Sequence, residues 1–323
     1  MPRRRGARSV AAMTSLAIET HGLGKRFGTR AALESIDLEV PRGCAFGFLG
    51  RNGAGKTTLI RLLLGLARPT SGGMRLLGHD LPAGRAAALA RVGAIVEEPR
   101  FHPHLTGREN LQVHAAARDR AAHGRVDGAL QRVGLAGRAD DRVRTYSLGM
   151  RQRLGVARCL VCDPELLILD EPVNGLDPAG IIEFRELVRA LVAEGRTVLL
   201  SSHLLDEVEK TCDVAAIVDG GRVVAQGPIA ELTRDGRRTI DVVAAPGARA
   251  AGVLAGVPGV ASAAAHADAI RLTLGDEAPP DREVVTELLR RLLADGIAVE
   301  RVTPVTRTLE DRFLSLATRL EHA

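Results

Sequence analysis

The sequence predicts an α/β protein with a mixed sheet core, an antiparallel β edge, a helical subdomain and a small C-terminal α+β unit. Three observations predict this class. Uninterrupted apolar runs alternate with helical patterns, which is typical of parallel strands covered on both faces. A glycine-rich loop stands between one apolar run and one helical pattern. A new series of short strands and helices then begins after a break near residue 236.

The first elements along the chain are two short runs of alternating polarity, at residues 16–20 and 36–40, which predict the antiparallel edge. An apolar run at 44–49 predicts a buried strand, and residues 58–66 predict an apolar helix after the glycine-rich loop. The segment from about 85 to 165 is rich in alanine, leucine and arginine at helical spacing. We expect it to be a helical subdomain inserted into the core.

The second half of the core reads as a parallel β-α-β unit. Apolar runs at 166–169 and 198–200 flank a helical pattern at 180–194. Two further runs, at 214–218 and 222–226, surround an Asp-Gly-Gly sequence that suits a tight turn. We therefore expect a hairpin to follow the parallel strands.

The C-terminal region, residues 238–323, shows the order strand, helix, strand, strand, helix, strand, followed by a last helix. That last helix begins at Thr308, which stands in capping-box spacing with Asp311. One helical face would carry four apolar residues, Leu309, Phe313, Leu316 and Leu320.

Length and composition favour two domains and disfavour some partners. The chain has 323 residues, a net charge of +5, 2% aromatic residues and no tryptophan, so it has little material for stacking on unpaired bases. We do not expect nucleic acid as a partner. The uncharged stretch at 250–267 contains Pro258 and several glycines and is not a membrane span. Residues 1–15 lack the apolar segment of a secretory signal and are predicted to be a disordered basic tail.

Two of the four cysteines, Cys159 and Cys162, stand at a spacing found in metal sites. No second cysteine pair or histidine pair accompanies them, and the segment has helical apolar periodicity. We therefore expect reduced cysteines with a structural role, and a cytosolic protein.

The glycine-rich stretch matches the pattern G-x-x-x-x-G-K-[ST] of a phosphate-binding loop. Its glycines let backbone N–H groups turn toward phosphate oxygens, and the following helix adds the positive end of its dipole. Lys56 would neutralise the terminal phosphates, and Thr57 would offer a ligand to magnesium. The residues predicted to contact a nucleoside triphosphate are Gly50, Arg51, Asn52, Gly53, Ala54, Gly55, Lys56, Thr57 and Thr58.

Two acids follow the apolar run at 166–169. Asp170 would place a carboxylate at the sheet edge, close to the magnesium that accompanies a triphosphate. Glu171, the next residue, can orient and deprotonate the water that attacks the γ-phosphate. We therefore predict Glu171 as the catalytic residue.

With Tyr-Ser-Leu-Gly-Met-Arg-Gln-Arg at 146–153 before this strand, residues 16–231 resemble an ATP-binding cassette (ABC) ATPase. The family signature is Leu-Ser-Gly-Gly-Gln, which Ser147 and Gly149 match and Leu148 and Met150 do not. The resemblance implies ATP and Mg²⁺ as ligands. It also implies a head-to-tail dimer of two ATPase subunits, in which Ser147 and Gly149 contact the ATP held by the other subunit.

The resemblance assigns four further residues. Phe27 stands where the family places an aromatic ring that stacks on adenine, although a phenylalanine in the core is an alternative. Asp177 matches an acid in the loop that links the two sites of the dimer. His203 matches the switch histidine that contacts the γ-phosphate. Glu97 replaces the usual glutamine, as in bacitracin and lantibiotic export cassettes, and our hypothesis is that it ligates magnesium and couples the helical subdomain to a membrane partner.

The resemblance implies an ATP-hydrolysing subunit that powers a separate integral-membrane permease, exporting a drug, antibiotic or peptide from the cytoplasmic face of the membrane. Residues 238–323 resemble the accessory domain of such export cassettes. Two alternatives stay open. A soluble ABC ATPase that acts on ribosomes or nucleic acid is disfavoured by the single cassette and the absence of sustained heptads. An importer ATPase is disfavoured by analogy alone, through Glu97 and the accessory domain.

Overall fold

The computed structural model describes residues 15–118, 120–233, 238–275, 278–305 and 308–313. These residues divide into two compact units, one that runs to Ile229 and one that begins at Ala230. The predicted tail lies outside the described residues, except for Ser15. None of the helices in the described ranges has both the length and the apolar character needed to cross a bilayer.

The first unit is built on a ten-stranded mixed sheet with the strand order β5-β4-β1-β2-β10-β9-β3-β8-β7-β6. The strands at the β5 end pair antiparallel, whereas β9, β3, β8, β7 and β6 pair parallel to one another. This is the predicted mixed core with its antiparallel edge. The strands are β1 (Leu16–Phe27), β2 (Arg30–Pro41), β3 (Ala45–Leu49), β4 (Ser71–Leu76), β5 (His79–Leu81), β6 (Val92–Ile95), β7 (Leu166–Asp170), β8 (Thr197–Ser202), β9 (Val214–Asp219) and β10 (Arg222–Pro228).

The apolar runs in the sequence form the parallel strands in the middle of the sheet. Every residue of β3, β7 and β8 is buried, which agrees with strands covered on both faces. The predicted hairpin is present, because β9 and β10 pair antiparallel across Gly220 and Gly221. The helices of this unit are α1 (Lys56–Leu63), α2 (Arg85–Leu89), α3 (Gly107–Ala116), α4 (Arg120–Gly124), α5 (Val126–Arg132), α6 (Leu148–Leu160), α7 (Pro178–Ala193) and α8 (Leu205–Thr211). The short helix α9 (Ile229–Leu232) begins at the last residue of the first unit and continues into the second.

The helical subdomain differs from the prediction at its start. The segment expected to be helical from residue 85 contains the strand β6, which pairs parallel with β7. An apolar run of this length cannot be told from a helical turn by periodicity alone. Gly93 explains how the strand fits, since a Cβ there would lie 2.6 Å from Cys159 Cβ on α6. The helices α3 to α6 follow β6, and a capping box between Thr106 and Glu109 starts α3.

The second unit has the predicted order of elements, with a four-stranded antiparallel sheet in the order β12-β13-β11-β14. Its core joins one face of this sheet to both helices, with Ile240 and Leu272 on strands and Leu254 and Leu288 on helices. The elements are β11 (Thr239–Ala245), α10 (Gly247–Ala255), β12 (Val260–His266), β13 (Ala269–Leu274), α11 (Asp281–Ala294) and β14 (Ala298–Val305).

The predicted start of the last helix is confirmed. The Thr308 N–H donates to Asp311 Oδ2 at 3.0 Å, and the Asp311 N–H donates to Thr308 Oγ1 at 3.2 Å, which is a reciprocal capping box. Leu309 and Phe313 are buried, as an apolar helical face requires. Leu316 and Leu320, the other two residues of the predicted face, lie outside the described residues.

The core of the second unit yields a stability prediction. Leu288 is fully buried on α11, so Leu288→Ala should lower the free energy of unfolding of this unit by about 2–5 kcal/mol. Leu293→Ala on the same helix is the control, because Leu293 is 66% exposed and its loss leaves no cavity. Hydrogen–deuterium exchange of peptides from residues 281–294 measures both variants. Equal protection in the two variants would contradict this core assignment.

Candidate functional site

A cavity of about 550 Å³ lies where β3, β7 and β8 end, which is the edge at which α/β sheets bind ligands. Its size suits a small-molecule ligand. It brings together most of the phosphate loop and the residues that follow two neighbouring strands. The lining residues are Phe27, Arg30, Ala32, Asn52, Gly53, Gly55, Lys56, Thr57, Thr58, Glu171, Asn174 and His203.

The phosphate loop connects the end of β3 to the start of α1. Gly55 has a φ of 102°, and a Cβ at this position would lie 2.6 Å from the carbonyl oxygen of Ala32. Only glycine fits such a backbone without displacing its neighbours. The loop therefore keeps an open concave backbone at the first turn of α1, where N–H groups are free of intrahelical acceptors.

Three of the predicted chemical groups form one connected chain of contacts. The Lys56 side chain is 5% exposed, and its Nζ lies 2.7 Å from the carbonyl oxygen of Gly50 and 3.1 Å from Glu171 Oε1. The other carboxylate oxygen, Glu171 Oε2, lies 2.8 Å from His203 Nδ1. The Glu171 carboxylate is thus held between an ammonium group and an imidazole at the mouth of the phosphate loop.

Ser201 supports this arrangement from the neighbouring strand, and the sequence reasoning missed it. Its buried hydroxyl donates to Asp170 Oδ1 at 2.5 Å and accepts the Glu171 backbone N–H at 3.0 Å. Glu171 has a φ of 47°, in the left-handed region where a residue with a side chain is strained. The serine therefore fixes both the buried Asp170 and the strained backbone that aims Glu171.

Ser201→Ala should separate positioning from binding. The variant removes a hydroxyl that pairs with the buried Asp170 carboxylate and the half-buried Glu171 N–H, and we expect a loss of about 1–3 kcal/mol in the free energy of unfolding. Hydrolysis should fall about tenfold while ATP affinity stays unchanged, because Glu171 loses its support and the phosphate loop does not. Phosphate release and calorimetric titration measure the two effects, with the exposed Ser262→Ala as control. Full hydrolysis by Ser201→Ala would argue against this positioning role.

Phe27 is 57% exposed and lines the cavity, so the alternative of a core phenylalanine is wrong. Lys25 Nζ lies 4.9 Å from the centre of its ring and donates to the carbonyl oxygen of Arg68 at 2.8 Å. A cation over one face of the ring restricts its orientation. The Phe27 ring therefore lies at the cavity, and Lys25 of the same strand restricts its orientation.

The residues expected to contact a second subunit's ATP lie on other elements. Ser147 is the N-cap of α6, where its hydroxyl accepts the N–H of Met150 at 3.2 Å. Asp177 is the N-cap of α7, where its carboxylate accepts the N–H of Gly180 at 2.9 Å. A Cβ on Gly149 would lie 3.7 Å from the side chain of Leu176, so the two helix starts are neighbours. The structure brings Ser147, Gly149 and Asp177 together, outside the lining of the cavity.

Glu97 follows β6 and also lies outside the cavity lining. Its carboxylate pairs with Arg61 on α1 at 2.6 Å, and its φ of 61° is again left-handed. Since the Glu97 side chain is 64% exposed, this pair contributes little to stability. The structure thus connects the segment after β6 to the helix of the phosphate loop.

The cysteine thiols are free. Cys159 is packed inside α6, and burial raises the pKa of its thiol to about 12. No cluster of three or more histidine, cysteine, aspartate or glutamate side chains suited to a metal occurs in the described part of the chain. The burial of the Cys159 side chain agrees with its predicted structural role.

This fold and site define a nucleoside triphosphatase of the phosphate-loop class. The ABC transporter family model matches residues 33–174. The bacitracin transport ATP-binding protein BcrA of Enterococcus faecalis is 38% identical over 93% of this chain and 96% of its own length. The chain belongs to the ABC transporter family as an ATP-binding, ATP-hydrolysing subunit.

Two further comparisons agree. The daunorubicin resistance ATP-binding protein DrrA3 of Streptomyces coeruleorubidus is 38% identical over 94% of this chain and 96% of its own length. A solved ATP-binding subunit of an ABC transporter is 31% identical, with a TM-score of 0.61, over 68% of this chain and 92% of its own. The predicted family and fold are confirmed. A transport function is supported over the alternative of an ATPase acting on ribosomes or nucleic acid.

Proposed function

We propose that this chain powers the export of a drug or peptide antibiotic through a separate integral-membrane permease. The observation that carries the proposal is the match to a bacitracin transport protein and a daunorubicin resistance protein over nearly the whole of each chain. The subunit would act at the inner face of the cell membrane, where cytoplasmic ATP reaches the phosphate loop. The permease would select the cargo.

The chain's own residues supply the hydrolytic chemistry. Lys56 would hold the terminal phosphates once its ammonium group exchanges the Gly50 carbonyl for phosphate oxygens. Glu171 would take the proton of the attacking water, and His203 would keep the carboxylate oriented through Oε2. The strained backbone at Glu171, held by Ser201, fits a group that must stay aimed at one point.

The residues also fit Mg²⁺ as a companion of the triphosphate. The Thr57 hydroxyl lines the cavity and the Asp170 carboxylate stands at the end of β7, and both are oxygen ligands of the kind that Mg²⁺ prefers. Bound there, the ion would neutralise charge on the phosphate oxygens.

Glu97 would become a ligand of the Mg²⁺ ion only if its pair with Arg61 opened. Unchanged magnesium dependence of hydrolysis in Glu97→Ala would rule out that role.

A second copy of this subunit is proposed to complete the site. The N-terminus of α6 carries Ser147 and Gly149, whose hydroxyl and N–H groups suit phosphate oxygens. Asp177, beside them at the start of α7, would link the two sites of the dimer. A head-to-tail pair would then enclose two ATP molecules.

Transport into inverted membrane vesicles tests the proposal. The chain is expressed with a candidate permease that has about six apolar spans of about twenty residues, and accumulation of daunorubicin or bacitracin is followed with and without ATP. We expect ATP-dependent accumulation that Glu171→Gln abolishes. Hydrolysis stimulated by ribosomes or nucleic acid, with no vesicle transport, would contradict export and favour the alternative.

A further inference from the structure

We propose that Arg30 is a further nucleotide-binding residue whose guanidinium group recognises the phosphates of ATP, an inference that deepens the ATP site and rests on the proposed function. Arg30 begins β2, three residues after Phe27, and its side chain lines the same cavity as Lys56. Its Nη2 atom lies 4.0 Å from the place where a Cβ on Gly53 would stand. The guanidinium group therefore faces the phosphate loop from the strand pair that carries Phe27.

The charges around the cavity make this position significant. The residues that line the cavity include one arginine, Arg30, and one lysine, Lys56. The Lys56 ammonium group is 3.1 Å from the Glu171 carboxylate, which offsets its charge. A triphosphate brings several negative charges into the cavity, and a second cation at the mouth stabilises it there. Arg30 supplies that cation.

The donors of Arg30 are available to a ligand. Across the described residues, its exposed guanidinium group has no hydrogen-bond or ion-pair partner. Two other arginines close to β2 are engaged. Arg26 donates to the carbonyl oxygen of Thr29 at 2.7 Å, and Arg222 pairs with Glu34 at 2.5 Å. A guanidinium group offers five donors in a planar fork, which matches phosphate oxygens in pairs. The free fork beside Gly53 is thus suited to a phosphate.

Calorimetric titration with ATP, ADP and adenosine tests the inference. Arg30→Ala should weaken ATP and ADP on the order of tenfold, because the contact is charge-assisted but partly screened by solvent. Adenosine should bind unchanged, because it has no phosphate. Arg30→Lys should recover part of the affinity, since the charge remains while the fork is lost.

Arg68→Ala is the matched control. Arg68 is also exposed and has no side-chain partner within the part of the chain that the structure describes, but it lies outside the nucleotide cavity. The Arg68→Ala variant should bind ATP, ADP and adenosine with the affinities of the unmodified protein. Equal weakening of ATP and adenosine in Arg30→Ala would show a packing role and overturn the inference, as would unchanged ATP affinity. In both cases the unmodified protein still binds ATP and drives transport, so this failure is distinct from failure of the proposed function.

Discussion

Glu171→Gln is expected to lower ATP hydrolysis by at least about 100-fold while leaving ATP affinity within about twofold of the unmodified protein. Glutamine keeps the size of the side chain and one carbonyl oxygen, so the cavity beside Lys56 and His203 is preserved. It cannot accept a proton at neutral pH. The variant should therefore bind ATP and stop before the chemical step.

The same variant reports on the dimer. If two subunits close over ATP and hydrolysis reopens them, Glu171→Gln should accumulate as an ATP-bound dimer that light scattering detects. Without ATP it should behave as the unmodified protein does. Glu186→Gln on α7 is the matched control, because Glu186 is exposed and outside the cavity. Rapid hydrolysis by Glu171→Gln would remove the catalytic assignment, and a variant that stays monomeric with bound ATP would contradict the shared site.

Sequence alone predicts the parts of the site that lie within one short segment or directly after one strand. The phosphate loop is contiguous, so its glycines and Lys56 could be named from their spacing. Glu171 and His203 could be brought together because each follows a buried parallel strand, and such strands end at one sheet edge.

The missed features depend on contacts between segments. Whether the hydroxyl of Ser201 bridges Asp170 and Glu171 depends on the register of two neighbouring strands, which periodicity does not specify. Its one sequence signal is a polar residue at the end of a buried strand. The placement of Arg30 against the phosphate loop depends on the packing of β2 beside Gly53 and has no motif. The strand β6 was missed because its four residues span only about one helical turn, and so short an apolar run does not distinguish a strand from a helix.

Lys56→Ala is expected to weaken ATP binding by about 100-fold and to abolish measurable hydrolysis, since it removes a nearly buried cation from the terminal phosphates. It also leaves the Glu171 carboxylate without its partner at 3.1 Å, so the base loses part of its orientation.

The choice of lysine has a physical reason. The chain has 44 basic residues, of which lysine occurs only at positions 25, 56 and 210. A compact ammonium group fits the tight loop where a guanidinium fork is too broad.

Lys56→Arg separates charge from shape. It keeps the positive charge but places a planar group in a position with 5% exposure, so we expect hydrolysis to stay close to that of Lys56→Ala. Lys210→Ala is the control, since Lys210 pairs on the surface with Asp206 at 2.6 Å and should retain full activity. Calorimetric titration and phosphate release measure all three variants. Hydrolysis by Lys56→Arg at the normal rate would show that charge alone accounts for the role of Lys56. The contact with the Gly50 carbonyl would then not be needed for catalysis.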